Sequence, residues 1–591
     1  MRHFFITVLG TIIGLFIFFI LLFVILGSIG AAVSSAAKSS SSQTAGPTIL
    51  TLDLRKPLRD HSAGKPLFGI QPNSVVDIAR RLHKAKTDDQ IKGLFIRANE
   101  FAMVPASAEE IRLAIADFKD GGKPVITHSQ GFEGTSVLPY MAVSASDEIW
   151  QQATSNFSAA GIRSEMGFYG GIFEKYDVKV QFEQFHEYKN AANVYKEKGL
   201  TPAHREATTA YLSSIFDSAI NHIAADRNIE AETVRNIFNA APHSAETAQA
   251  KGLVDKLGHV EAAKSYIRKK AGGSKVKFTP LKNYSIKGSI TGPAIAFIGG
   301  QGAVVTGSSL DGSNPLRNGL NMGSDTIAGA FDAAIKDKKV KAIVFRVSTP
   351  GGSPSAADQI HDAVARAKKA GKPVIISMGQ YAASAGYYIS ANADKVIALP
   401  TTITGSIGVL GGKIALRDTF AKFGYNIEDV NIGGEYVSAY SGDEPFTQAQ
   451  QAAFRNQLAE IYEDFTERVS EGRDIPLNVV QDIAKGRVWT GVQGKDRQLV
   501  DELGGFMKAV SVAKSLAKIE PDTSVYIKQF PKPKTLQQQL EALSGGSVQA
   551  LQELHTLREI SALPEVQAII QARQNKTLHS QSLRAPIADI Q

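Results

Sequence analysis

Along residues 47–530, short runs of β-branched and apolar residues alternate with stretches whose apolar positions recur every three or four residues. KAIVFRV (341–347), PVIISM (373–378) and KVIAL (395–399) read as buried strands, and SAADQIHDAVARAKKAG (355–371) reads as a helix. Alternation of this kind implies an α/β fold built on parallel sheet with right-handed crossovers. Two longer amphipathic stretches, HREATTAYLSSIFDSAINHIAADR (204–227) and QAQQAAFRNQLAEIYEDFTERV (448–469), predict helices that pack one half of the chain on the other or on neighbours.

Two regions depart from this rhythm. Residues 4–26 are almost continuously apolar, long enough to cross a hydrocarbon core of about 30 Å as a single helix. Arg2 and the amino terminus precede the span, whereas only Lys38 follows it closely. That bias places the N-terminus in the cytoplasm and the remainder outside. The Ser-rich stretch SSAAKSSSSQTAGP (34–47) then reads as a flexible tether. At the other end, residues 531–591 are rich in Gln and Leu, with Leu551, Leu554, Leu557 and Ile560 at helical spacing before Pro564. An amphipathic stripe of this kind packs on its own protein, with an oligomer or membrane contact as the other possibility.

The body of the chain is written twice. IKGLFIR (91–97) matches VKAIVFR (340–346), and GKPVI at 122–126 recurs at 371–375, both at an offset of 249 residues. KGLVDKLG (251–258) parallels RQLVDELGG (497–505), so the register drifts by only a few residues across the repeat. The expected organisation is an anchor and tether over 1–46, a first copy over 47–275, a second over 276–530 and a helical extension over 531–591. The copies differ where chemistry is expected. The second has Gly351 and Gly352 where the first has Ala102 and Met103, and the first has Lys189 in EYKNA where the second has Val437 in EYVSA.

Composition narrows the function. A chain of 591 residues exceeds one core, so two or three domains are expected. The absence of cysteine removes disulfides, thiolate zinc sites and cysteine nucleophiles. A formal charge of +8 is small for this length, without the basic runs and interleaved aromatics of nucleic-acid binders, so no nucleic-acid partner is expected. His128, His186 and His243 fall in no HExxH or paired spacing, so neither metal nor cofactor is expected.

In the second copy a strand runs into STPGGSPSAAD, placing Gly351 and Gly352 before a helix, where free backbone N–H groups can stabilise a developing oxyanion. One strand later comes GQYAASAGYYIS, with Ser384 among small residues at a helix start and the Ala385 amide as a second oxyanion donor. Singly, the first is an ordinary turn and the second an ordinary cap; their pairing is what points to chemistry. Ser136 falls opposite Ser384 in the first copy but lacks both the Ala-Gly sequel and the Gly-Gly turn, and reads as a relic. Asp358 and Asp394 lie near these motifs and read as caps of helices or turns.

VSTPGGSPSAAD, SMGQYAASAGYYIS, TGSIGV and EYKNA, with the duplication and the single N-terminal anchor, resemble peptidase family S49, the signal peptide peptidase A or protease IV family, in its long duplicated bacterial form. The resemblance implies tandem Clp/crotonase-like domains and a serine endopeptidase with a Ser/Lys dyad, without a cofactor. It implies Ser384 as nucleophile, Lys189 as general base and Ser406 orienting the lysine. Gly352 and Ala385 would form the oxyanion hole, and Gly351, Tyr387 and Val409 would line apolar substrate subsites. It further implies a homotetramer on the periplasmic side of the bacterial inner membrane, degrading signal peptides and other apolar peptides. A free lysine amine titrates near 10.4 and must fall to about 7 or 8 to serve as a base, so a dry site around Lys189 is expected. Two other readings stay open: a non-catalytic membrane scaffold of the same fold, and a crotonase-like acyl-CoA enzyme. The intact Gly-Gly turn and AASAG segment stand against the first, and the anchor, duplication and Lys189 against the second.

Overall fold

The computed structural model describes residues 46–62, 72–285, 292–311 and 319–532, together with Gln538 and the strand Asp589–Ile590. The apolar segment 4–26, the tether up to residue 45 and the Leu-patterned tail around Leu551, Leu554, Leu557 and Ile560 lie outside the described residues. Among the described residues no helix is long and apolar enough to cross a membrane.

The two copies build two sheets of one topology. In the first, Lys256–Leu257, Glu148–Gln151, Val125–Ser129, Ile91–Arg97, Thr48–Asp53 and Lys277–Pro280 lie side by side in that order, every pair parallel. In the second, Glu502–Leu503, Lys395–Ala398, Val374–Ala383, Val340–Thr349, Ala294–Gln301 and Tyr526–Phe530 repeat the order and the parallel pairing. Ile403–Gly405 and Val488–Thr490 extend the second sheet beyond Val374–Ala383. The strand Lys277–Pro280 corrects the expected boundary at 275: it pairs with Thr48–Asp53 and closes the first sheet's edge. Its sequence, KFTP, carries too little apolar pattern to announce a strand.

Central strands are covered on both faces, which is why they read as continuous apolar runs rather than alternating ones. Val340–Thr349 exposes only Lys341. The two long amphipathic segments form 26-residue helices, Pro202–Arg227 and Gln448–Arg473. Each begins at a threonine cap, Thr201 or Thr447, whose hydroxyl accepts from the amide three residues on. Each ends at a left-handed residue, Asn228 at φ 52° or Asp474 at φ 53°, a residue type whose short polar side chain tolerates that conformation.

Several features join the copies. Lys179–Phe185 of the first pairs antiparallel with Val409–Ala415 of the second, in register from Val409 opposite Phe185 to Ala415 opposite Lys179. Phe454, Leu458 and Tyr462 of the helix Gln448–Arg473 pack with Val409 and Phe185 of this ribbon. Elsewhere, Arg346 of the second copy is buried between Asp60 (2.7 Å) and Glu110 (3.1 Å) of the first. Burial opposes the charge on Asp60, but Arg346 overrides it and holds the carboxyl well below its usual range. For Glu110 burial wins and its pKa is raised. Nearby, Glu109 accepts from the amide and hydroxyl of Thr401 at 2.9 and 2.6 Å.

Candidate active site

Ser384 stands where the strand Val374–Ala383 turns into the helix Ala385–Ser390, at φ 55° and ψ −121°. A positive φ is costly for a residue with a Cβ, and here neighbours hold it. The Ser384 amide donates to the Gly405 carbonyl at 2.9 Å, and its own carbonyl accepts from the Tyr387 amide at 2.8 Å. Gly386 must lack a side chain because a Cβ there would meet Thr349 Cγ2 at 2.6 Å. The AASAG sequence is therefore what lets the turn sit tightly on the adjoining strand and present the serine hydroxyl.

Lys189 follows the ribbon strand Lys179–Phe185 and is carried by it across to the second copy. Its Nζ lies 3.0 Å from Ser384 Oγ, 3.0 Å from Ser406 Oγ and 2.8 Å from the Ser406 carbonyl oxygen. The residue is 5% exposed. Burial alone pulls its pKa from the usual 10.5 down to about 7, with no neighbouring carboxylate to hold the proton. A neutral amine has two N–H donors and one lone pair, which matches the three contacts: N–H to the Ser406 carbonyl and hydroxyl oxygens, lone pair to the Ser384 hydroxyl. The serine and lysine, in different copies, thus meet within one chain. Ser406 is itself left-handed at φ 50°, and its amide donates to the Arg487 carbonyl at 2.7 Å.

The Gly-Gly turn packs against this pair. Gly351 and Gly352 have φ of +129° and +156°, and a Cβ on Gly352 would meet the Val304 carbonyl oxygen at 2.1 Å. The Gly351 amide is occupied by Thr349 Oγ1 at 3.1 Å. Among the described residues no hydrogen bond uses the Gly352 amide, and the Ala385 amide opens a helix, where it has no intrahelical acceptor. These two N–H groups flank Ser384, an arrangement able to bind an oxyanion.

A cavity of about 380 Å³ opens beside Ser384, Gly352 and Ala385, and Val409 and Tyr388 line it. Tyr387 does not: it is fully buried, and its hydroxyl donates to the Leu499 carbonyl at 2.9 Å. The expected subsite role of Tyr387 is corrected, because the helix turns its ring into the core and turns the next residue, Tyr388, toward the cavity. Asp394 accepts from the Val374 amide at 2.7 Å, a structural role. Asp358 lies on the cavity wall, where it pairs with Arg468 at 3.0 Å, and is not a simple cap. Ser136 accepts from the Leu138 amide at 3.4 Å and is buried. His128 lies in the first sheet, where burial holds its pKa down at about 4.

The model of Peptidase family S49 matches the chain twice, over residues 117–274 and 366–520. The chain belongs to peptidase family S49. One match contains Lys189 and the other Ser384 and Ser406, so the S49 domain is repeated within a mixed α/β fold. The chain is 30% identical over 518 residues to "Protease 4" of Salmonella typhi, covering 84% of this chain and 81% of that protein. It is 30% identical over 479 residues to "Protease 4" of Haemophilus influenzae, covering 76% and 74%. It is 25% identical over 551 residues to "Serine protease SPPA, chloroplastic" of Arabidopsis thaliana, covering 92% and 80%. As an S49 member in the long duplicated form, the chain is a serine protease.

Several residues of the site escape a reading of the sequence. Gly486, at φ +77°, lies directly on Lys189: a Cβ there would meet Lys189 Cβ at 2.5 Å. Arg487 stacks over Tyr188 at 4.8 Å and pairs with Glu206 through both terminal nitrogens at 2.7 Å. Arg346 carried a signal, being a charged residue within the apolar run from Ala342 to Val347, but nothing in the sequence names its partners.

Proposed function

We propose that the chain is a membrane-anchored endopeptidase in which Ser384 and Lys189 act as a dyad on apolar peptides, cleaved signal peptides among them. The observation that carries this reading is the buried Lys189 amine 3.0 Å from the Ser384 hydroxyl, with its pKa lowered to about 7. At neutral pH a large share of such amines is uncharged. The neutral amine takes the Ser384 proton as Oγ attacks the scissile carbonyl, and the Gly352 and Ala385 amides receive the charge developing on the carbonyl oxygen. The resulting ammonium then returns that proton to the leaving amine. Water repeats the sequence on the acyl-enzyme, with Lys189 again taking and giving the proton. Ser406 holds the amine on line through its hydroxyl and carbonyl oxygens.

The apolar segment 4–26 supports an anchor, which would keep the site near the bilayer surface, on the periplasmic side if the charge bias governs insertion. The printed names of the relatives support peptide hydrolysis, and a homotetramer remains part of the proposal through family resemblance. Purified full-length protein in detergent is expected to hydrolyse apolar reporter peptides and to lose that activity in both Ser384→Ala and Lys189→Met. A serine-directed fluorophosphonate is expected to label wild type and not Ser384→Ala. Hydrolysis that persists in either variant contradicts the dyad.

A further inference from the structure

The cavity beside Ser384 is not uniformly apolar. It opens at Ser384, Gly352 and Ala385, beside the position the scissile carbonyl takes under the proposed function. Its apolar lining includes Val409, Ile461 and Phe465. The helix Gln448–Arg473 and the neighbouring helix also bring to it three carboxylates, Asp358, Glu460 and Asp464, against a single guanidinium, Arg468.

Arg468 is already divided, with Nε 2.9 Å from Asp464 and a terminal nitrogen 3.0 Å from Asp358. The Tyr388 hydroxyl, on a ring 5% exposed, donates to Asp464 at 2.6 Å. His361, behind Arg468 at 3.2 Å, adds no compensating charge at neutral pH because burial lowers its pKa. Glu460 sits one turn before Asp464 on the helix Gln448–Arg473, is exposed, and makes no ion pair among the described residues.

We infer that this pocket selects a long side chain ending in a cation, lysine or arginine, immediately before the scissile bond. The inference rests on the reading of Ser384 as nucleophile. The methylene stem of such a residue lies on Val409, Ile461 and Phe465 while its cation reaches Glu460 and Asp464. An aliphatic side chain of equal length makes the same apolar contacts but offers Glu460 no cation, and an acidic one meets like charge. A basic residue bordering an apolar run combines this preference with the apolar substrates proposed above.

The test uses the full-length enzyme and internally quenched peptides identical except at that one position, which is lysine, norleucine or glutamate. The expected kcat/KM for lysine exceeds that for norleucine by about two- to five-fold, the scale of a partly exposed ion pair, with glutamate lowest. The lysine-to-norleucine ratio is expected to fall toward one in Glu460→Gln, a self-normalised readout that partial misfolding does not move. Norleucine equal to or better than lysine, or a ratio unchanged in Glu460→Gln, overturns the inference while leaving the dyad standing. Cleavage of the norleucine peptide that survives Ser384→Ala overturns the nucleophile reading and the pocket assignment with it.

Discussion

Under the proposed dyad the Lys189 amine accepts the Ser384 proton only while it carries none of its own, so the dryness around it would serve function and has a thermodynamic signature. The unfolded chain charges this lysine up to a pH near 10.5, whereas the folded protein charges it only below about 7. Protons therefore bind the unfolded state more tightly, and the lysine destabilises the fold increasingly as pH drops from about 10 to 7, with the full penalty below that. Lys189→Met is expected to be inactive yet more stable than wild type, by on the order of a few kcal/mol near pH 6, with the gap closing above about pH 10 in urea titrations. A variant that loses stability at pH 6 contradicts the buried-amine account. Gly352→Ala places a Cβ 2.1 Å from the Val304 carbonyl oxygen and is expected to displace the proposed oxyanion donor. Its kcat is expected to fall by about 10²-fold or more, with the fold retained on circular dichroism. At this scale the sequence was legible for small residues only through the pairing of AASAG with the Gly-Gly turn, since either alone reads as an ordinary cap or turn. Tyr387 and Tyr388 show where it stopped. Adjacent positions on a six-residue helix buried on all sides give no periodicity to tell which ring faces the cavity.

Elements carry the site across the duplication. The strand pair Lys179–Phe185 and Val409–Ala415 delivers Lys189, and the turn at 485–487 closes over it. Arg487 ties that turn down through Tyr188, Trp489 at 4.5 Å and Glu206. Arg487→Ala is expected to free the cover and admit water to the amine. The acid limb of the kcat/KM profile is expected to move upward from about 7 toward the ordinary lysine value, a shift that simple loss of packing does not produce. An unmoved limb contradicts the role of the cover. The strand-and-helix alternation and both long helices were legible because their patterns are local. The ribbon was not: Lys179–Phe185 is half-buried beyond its exposed first residue, Val409–Ala415 contains Gly411 and Gly412, and their pairing joins remote parts of the chain.

The whole molecule depends on the copies staying together, and Arg346 with Asp60 and Glu110 sits at their junction. Removing one member of a buried ionic cluster leaves the others unpaired, so Arg346→Ala is expected to cost about 3–5 kcal/mol in urea unfolding. A cost below about 1 kcal/mol contradicts its role in holding the copies. Since Ser384 and Lys189 meet within a single chain, mixed Ser384→Ala and Lys189→Met subunits are expected to recover no activity, and recovery points to pairing between chains. The doubled architecture was legible from the shared offset of 249 residues, whereas the junction was not, because its charged partners come from segments with no common motif. The most direct test of the account is the titration of Lys189 itself, followed by the ¹³Cε shift in lysine-labelled, hydrolytically silent Ser384→Ala and assigned by its loss in the added Lys189→Met. The account predicts one lysine titrating near pH 7; every lysine titrating near its ordinary 10.5 contradicts it.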